Sequence, residues 1–201
     1  HWPGSVRVTV NVAPSQAGNL GFAGKVTQAL ASSGLAPERL ELELRMASFA
    51  AEEERTVSLF DSLKVMGVRF VLDHFGDGYS ALGFLRTPLF DKIKIDASFV
   101  RGVTAKDSRN AEIIGSVVKL AKALKLEVAA EGVEAHDELD TVRALGVSQV
   151  QGHIYGGALN SEDVSEAMLT GEWVIEPSGP SHYRPDRKTV FRKIGLIHED
   201  Y

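Results

Sequence analysis

Along this sequence, polar side chains recur at or just past the ends of apolar runs: Asn11, Glu43, Asp73, Lys94 with Asp96, Glu131 and Gln151. Carboxylates gathered at one end of a sheet repel one another and resist desolvation, and a divalent cation relieves both costs. Oxygen donors in a chain without cysteine suit Mg²⁺, Mn²⁺ or Ca²⁺ better than zinc. Such an ion polarises a phosphodiester and lowers the pKa of a bound water, giving a nucleophile at neutral pH. A lysine among the acids orients or deprotonates that water, or offsets phosphate charge. Taken singly, an acid at a strand end is more often a helix cap or a surface charge. The series as a whole leaves two readings level, a metal site and a salt-bridged rim.

Positioning these groups requires strands that all run the same way. Strand-like runs are Val6–Val12, Leu40–Leu44, Val68–Leu72, Lys92–Ile95, Glu127–Ala130 and Gln149–Tyr155. Several are nearly continuous and rich in β-branched residues, the mark of strands covered on both faces. Helical stripes lie between them: Leu59, Phe60, Leu63 and Met66, closed by Gly67; Ile113, Ile114, Val117, Leu120, Ala121 and Leu124; and Leu139, Val142 and Leu145, closed by Gly146. Strict alternation of strand and helix implies an α/β fold, a parallel sheet wrapped by helices. In a closed parallel barrel, the C-terminal rim of the strands is where sites are built.

The 201 residues are 44% hydrophobic and 24% charged, ordinary values for a folded domain. A formal charge of −5 argues against a nucleic-acid polymer as partner, since that needs a basic face. No apolar run approaches the roughly 20 residues of a membrane span, and no signal peptide is evident, so no membrane contact is expected. The absence of cysteine fits a reducing, cytoplasmic setting. The chain opens His1-Trp2-Pro3, which reads as a fragment of a longer polypeptide. The expected organisation is a barrel domain over residues 1–175, a Pro/Ser/Gly/Arg-rich linker over 176–188, and a tail over 189–201 that opens a further domain. The basic run Arg184, Arg187, Lys188, Arg192 and Lys193 reads as a solvated face and loosely resembles the arginine-bearing start of a PilZ domain.

The motifs carry a closer resemblance. Val10-Asn11-Val12-Ala13, Leu40-Glu41-Leu42-Glu43, Leu72-Asp73-His74-Phe75-Gly76-Asp77-Gly78-Tyr79-Ser80, Lys94-Ile95-Asp96, Ala130-Glu131-Gly132-Val133-Glu134 and Gln151-Gly152-His153 resemble, in order, the motifs of EAL domains. Each is weak alone, and their common order is specific. The resemblance implies a TIM-type (β/α) barrel that hydrolyses cyclic-di-GMP to the linear dinucleotide pGpG with Mg²⁺ or Mn²⁺. It puts Asn11, Glu43, Asp73 and Glu131 on metal-ligand positions, and Lys94 on the water-activating lysine. Glu134 falls on the glutamate that supports the metal and its loop. Gln151, Gly152 and Asp96 fall on the substrate side. It further implies a homodimer fused to other signalling domains.

The departures sit at the rim. The signature Glu-Ala-Leu strand is not among these residues, and the resemblance places it upstream of His1, so the barrel lacks its first strands here. Open sheet edges would follow, and the segment alone is expected to fold poorly or to oligomerise. His74 stands where the family has a second-metal aspartate. Imidazole is a poor ligand for Mg²⁺, and a weakened second metal position is expected. Asp77 replaces a threonine, Arg45-Met46 replaces Thr-Glu and removes an acid, and Ala158 replaces a proline. The combination points to a weak or inactive phosphodiesterase kept as a nucleotide sensor or interaction module. Phe22, Phe49, Phe60, Phe84 and Phe99 are expected in the core, Tyr79 beneath its loop, and His136 and His153 in structural roles.

Overall fold

A computed structural model describes residues 6–45, 53–76, 83, 85 and 88–170. These residues form two compact units, which divide between Ile93 and Lys94, with Val6 joining the second. In both, neighbouring strands follow chain order. Expectations at Met46, Phe49, Asp77, Tyr79, Phe84, the 176–188 linker and the 189–201 tail lie outside the described residues.

In the N-terminal unit, strands β1 (Val8–Val12), β2 (Leu40–Arg45) and β3 (Arg69–Phe75) are parallel. A short helix α1 (Pro14–Ala17) and helix α2 (Phe22–Ser33) connect the first two, and α3 (Glu53–Val65) connects the next. Pairing sets Asn11 beside Glu43, and Arg45 beside Asp73. Because side chains alternate along a strand, one face carries Thr9 and Asn11, Glu41, Glu43 and Arg45, and Arg69, Val71 and Asp73. The opposite face carries Leu40, Leu42, Leu44, Phe70 and Leu72, all buried. There Phe60 of α3 packs against Phe70 with ring centroids 5.2 Å apart and meets Phe22 edge-on at 6.3 Å. The chain leaves α3 through Gly67, whose φ of 102° is open to glycine at little cost.

On the polar face, near the strand starts, the carboxylate of Glu41 is wholly enclosed. It accepts from Arg69 Nε at 3.2 Å, Thr9 Oγ1 at 3.3 Å, Arg7 Nη1 at 3.5 Å, and the ammonium of buried Lys92. This is a satisfied buried charge, which a folded chain tolerates only with such partners.

Strand β4 (Lys92–Ile95) spans the division. The C-terminal unit continues with α4 (Ala97–Val100), α5 (Asn110–Ala123), β5 (Glu127–Ala130), α6 (His136–Ala144), β6 (Gln149–Val150) and α7 (Ser161–Thr170). Helix α5 buries Ile114, Val117, Val118 and Ala121. Helix α6 buries Leu139 and Val142, and Glu138 reaches back to the amides of Glu134 and Ala135 at 3.0 and 3.2 Å, closing its N-terminus. Val6 packs with Val164 and Met168 of α7.

Three expectations are corrected. The last strand ends at Val150 instead of Tyr155, because the chain turns at Gly152 into a 3₁₀ turn, His153–Tyr155. Met66 lies beyond the end of α3 and is exposed, and Ile113 and Leu124 flank the buried stripe of α5 instead of joining it. The third strand runs on to Phe75, so Asp73 lies within it and not after it. Among the described residues no helix is long and apolar enough to cross a membrane.

Candidate active site

In the N-terminal unit, the candidate acids stand on the polar face toward the C-terminal ends of their strands. Glu43 is 7% exposed and Asp73 3%, while Asn11, beside Glu43 on the edge strand, is exposed. Burying carboxylates this far requires compensating charge. Asp73 has two basic side chains beside it, of which Arg45 carries the charge. Arg45 Nε lies 3.7 Å from Asp73 Oδ2, and His74 Nδ1 lies 2.7 Å from the same oxygen. The His74 ring also meets Arg45, with Nη2 to Nε2 at 3.3 Å. Alternation would send His74 to the face opposite Asp73. Its φ of 54° instead turns the ring back, a conformation that histidine tolerates better than most residues. Arginine has no acceptor, so in the Arg45 contact Nε2 is the acceptor.

In the C-terminal unit, Lys94 Nζ lies 2.6 Å from Glu131 Oε1, and both are largely enclosed. The amide of Glu131 donates to Ile95 O at 3.1 Å, fixing β5 to β4 at the end that carries the pair. Glu134 stands in the open, 3.7 Å from the exposed His153 Nδ1. Gln151 bridges by backbone, donating to Ala130 O at 2.8 Å and accepting from Val133 N at 3.1 Å. Gly152 then passes so close to Val133 that a Cβ there would stand 1.7 Å from the Val133 carbonyl oxygen. Asp96 caps α4, accepting from Ser98 N at 2.8 Å.

Residues 1–158 match the family model described as EAL domain. The chain belongs to the EAL-domain family. Relatives agree. The cyclic di-GMP phosphodiesterase NbdA of Pseudomonas aeruginosa is 35% identical over 154 residues, 77% of this chain and 20% of that protein. Among solved structures, a PaMucR phosphodiesterase with cyclic-di-GMP is 31% identical with a TM-score of 0.71, covering 79% of this chain and 64% of that one. The manganese/cyclic-di-GMP complex of Klebsiella pneumoniae BlrP1 is 28% identical at 0.69, covering 75% and 38%. The chain spans about a fifth of the curated relatives NbdA, y4lL of Sinorhizobium fredii and a signalling protein of Caulobacter vibrioides. The fold is accordingly that of EAL domains, with six strands that make up part of a TIM-type barrel.

For an EAL domain, the donor chemistry here suits a hard divalent ion: amide and carboxylate oxygens on one face of β1, β2 and β3. Within its own unit, Asp73 already has a protein cation beside it. Sequence reasoning registered Arg45-Met46 only as the loss of an acid from that motif and overlooked Arg45 as a partner of Asp73. Alternation puts Arg45 on the face of Glu43, but only the β2–β3 register brings it beside Asp73. The Glu41 cluster was overlooked for want of the register that joins Thr9 and Arg69 to it.

Proposed function

We propose that this EAL domain binds cyclic-di-GMP in second-messenger signalling and turns it over weakly or not at all. Asn11, Glu43 and Asp73 in one unit, and Glu131 in the other, are the proposed ligand positions for divalent ions, Mg²⁺ or Mn²⁺, whose chemistry would be to polarise the phosphodiester and acidify a water. Lys94 stands ready to exchange part of its contact with Glu131 for a phosphate oxygen or the attacking water, supplying positive charge where it develops. Glu134 and His153 hold the loop between β5 and α6. Gln151 and Gly152 shape the substrate side through their backbone, and Asp96 fixes the start of α4. His74 takes the second-metal position. Its Nε2 meets Arg45 and its Nδ1 lies beside Asp73, so an ion at this position would have to displace the Arg45 contact to use Nε2.

That engagement of Asp73 by Arg45 and His74 is the observation that carries the low-turnover reading. A two-ion displacement relies on both ions to stabilise the attacking and leaving oxygens, and the loss of one removes much of that charge. A homodimer with further signalling domains completes the proposal.

The test uses the intact protein. Calorimetric titration with cyclic-di-GMP, with and without Mn²⁺ or Mg²⁺, is expected to show binding, and chromatography of the products little pGpG. Replacing His74→Asp is expected to raise turnover. Hydrolysis at the rate of a fully equipped EAL enzyme would reject the low-turnover reading, and absence of nucleotide binding would reject the site altogether.

A further inference from the structure

We infer that Arg45 is a tethered cation that competes with a divalent ion for Asp73 and so sets the metal affinity of this domain. The inference rests on the reading of Asp73 as a metal-ligand position and goes beyond it by naming what opposes the metal. Register places Arg45 directly beside Asp73 on the adjacent parallel strand, on the same face. Its Nε lies 3.7 Å from Asp73 Oδ2, and its Nη2 lies 3.3 Å from His74 Nε2. One guanidinium therefore engages both groups that a second ion would use at this strand end. An incoming dication meets a carboxylate with a cation beside it, an imidazole nitrogen in contact with the same cation, and a like charge that must leave.

The burial of the partners gives the competition its direction. Asp73 is 3% exposed and held in place by β3, whereas the Arg45 side chain is 61% exposed. The cation can swing into water while the carboxylate stays. Arg45 is thus a positioning residue and a reversible plug, not a fixed structural ion pair. Its planar fork also suits a phosphate oxygen pair, so nucleotide and ion would draw it in different directions.

The experiment measures Mn²⁺ binding to the intact protein, without nucleotide, by calorimetry and by the free-Mn²⁺ paramagnetic resonance signal. Arg45→Gln keeps a polar, hydrogen-bonding side chain, though a shorter one, and removes the charge. It is expected to tighten Mn²⁺ binding about fivefold, the upper range for a partly exposed ion pair. Arg45→Lys keeps the charge and is expected to stay near wild type, which a purely packing role would not produce. Wild-type Mn²⁺ affinity in Arg45→Gln overturns the inference. Asp73→Asn separates the layers. If it weakens Mn²⁺ binding while Arg45→Gln changes nothing, the site reading stands and the competition falls. If Asp73→Asn leaves Mn²⁺ binding intact, both fall.

Discussion

Replacing Glu41→Gln tests whether the polar face of the sheet is held by charge. The substitution keeps the shape of the side chain and removes the anion. The Lys92 ammonium, 7% exposed, then faces an amide in place of a carboxylate, while Arg7 and Arg69 at the margin can turn toward water. At an effective dielectric of about 20, a unit pair at the 3.2 Å separation of Arg69 and Glu41 is on the order of 5 kcal/mol before desolvation. Breaking a buried pair from one side costs about 3–5 kcal/mol net, because one charge is left behind. Against a total stability of about 5–15 kcal/mol this is a large fraction. With a urea slope of about 2 kcal/mol/M, the midpoint should fall by roughly 1.5–2.5 M. The assay is urea unfolding of the intact protein followed by circular dichroism. Glu41→Leu combined with Lys92→Met removes both charges and should recover most of the loss. A Glu41→Gln midpoint within about 0.3 M of wild type would refute the reasoning.

Two further outcomes are expected. Gly152→Ala should destabilise the domain by about 3 kcal/mol or more, since the new Cβ would meet the Val133 backbone at 1.7 Å, while Gly157→Ala, with nothing within 4 Å, should be nearly neutral by the same unfolding assay. Burial raises the pKa of Tyr155, opposed by the charge of Arg143 and its hydrogen bond to the phenol. The stability from the neutral phenol is full below the unfolded value of about 10 and is lost as pH rises through the higher folded value, so Tyr155→Phe should flatten the alkaline fall in unfolding midpoint. Equal alkaline slopes in the two proteins would count against this assignment.

The strand-and-helix order was legible because its signal is local. The runs at Lys92–Ile95 and Glu127–Ala130 carry their own apolar pattern and match the structure to the residue. Gln149–Tyr155 misled because its apolar residues, Val150, Ile154 and Tyr155, are buried in two different conformations on either side of Gly152. Periodicity reports burial and does not distinguish a strand from a turn packed underneath one. Ile113 and Leu124 misled for a related reason: a stripe three or four residues wide has edges, and only packing decides which edge residue is covered. The site followed the same division. Asp73, Lys94 and Glu131 stood out by type and spacing. The contacts that qualify them, Arg45 on Asp73 and the turned ring of His74, depend on strand register and on one positive φ, which no single segment encodes.

Among the carboxylates with a basic partner, Glu41, Glu131 and Asp73 differ in exposure, and exposure separates the roles of their pairs. Glu41 with Lys92 is closed to water on both sides, so neither charge can leave without being stranded, and the pair is structural. Lys94 with Glu131 is enclosed but stands at the strand end, where a phosphate oxygen or a water could take up one of the ammonium's three donors without removing the pair. Arg45 with Asp73 joins a buried acid to a base whose charge lies mostly in solvent, so screening keeps the contact weak and its exchange inexpensive. The pair that separates most easily is therefore the one at Asp73, a proposed metal-ligand position. A gain of ion affinity should accordingly come from residue 45 before it comes from residue 94. Neutralising Lys94 removes a cation that is itself enclosed beside Glu131, whereas Arg45 lies mostly in solvent and leaves Asp73 with His74 still beside it.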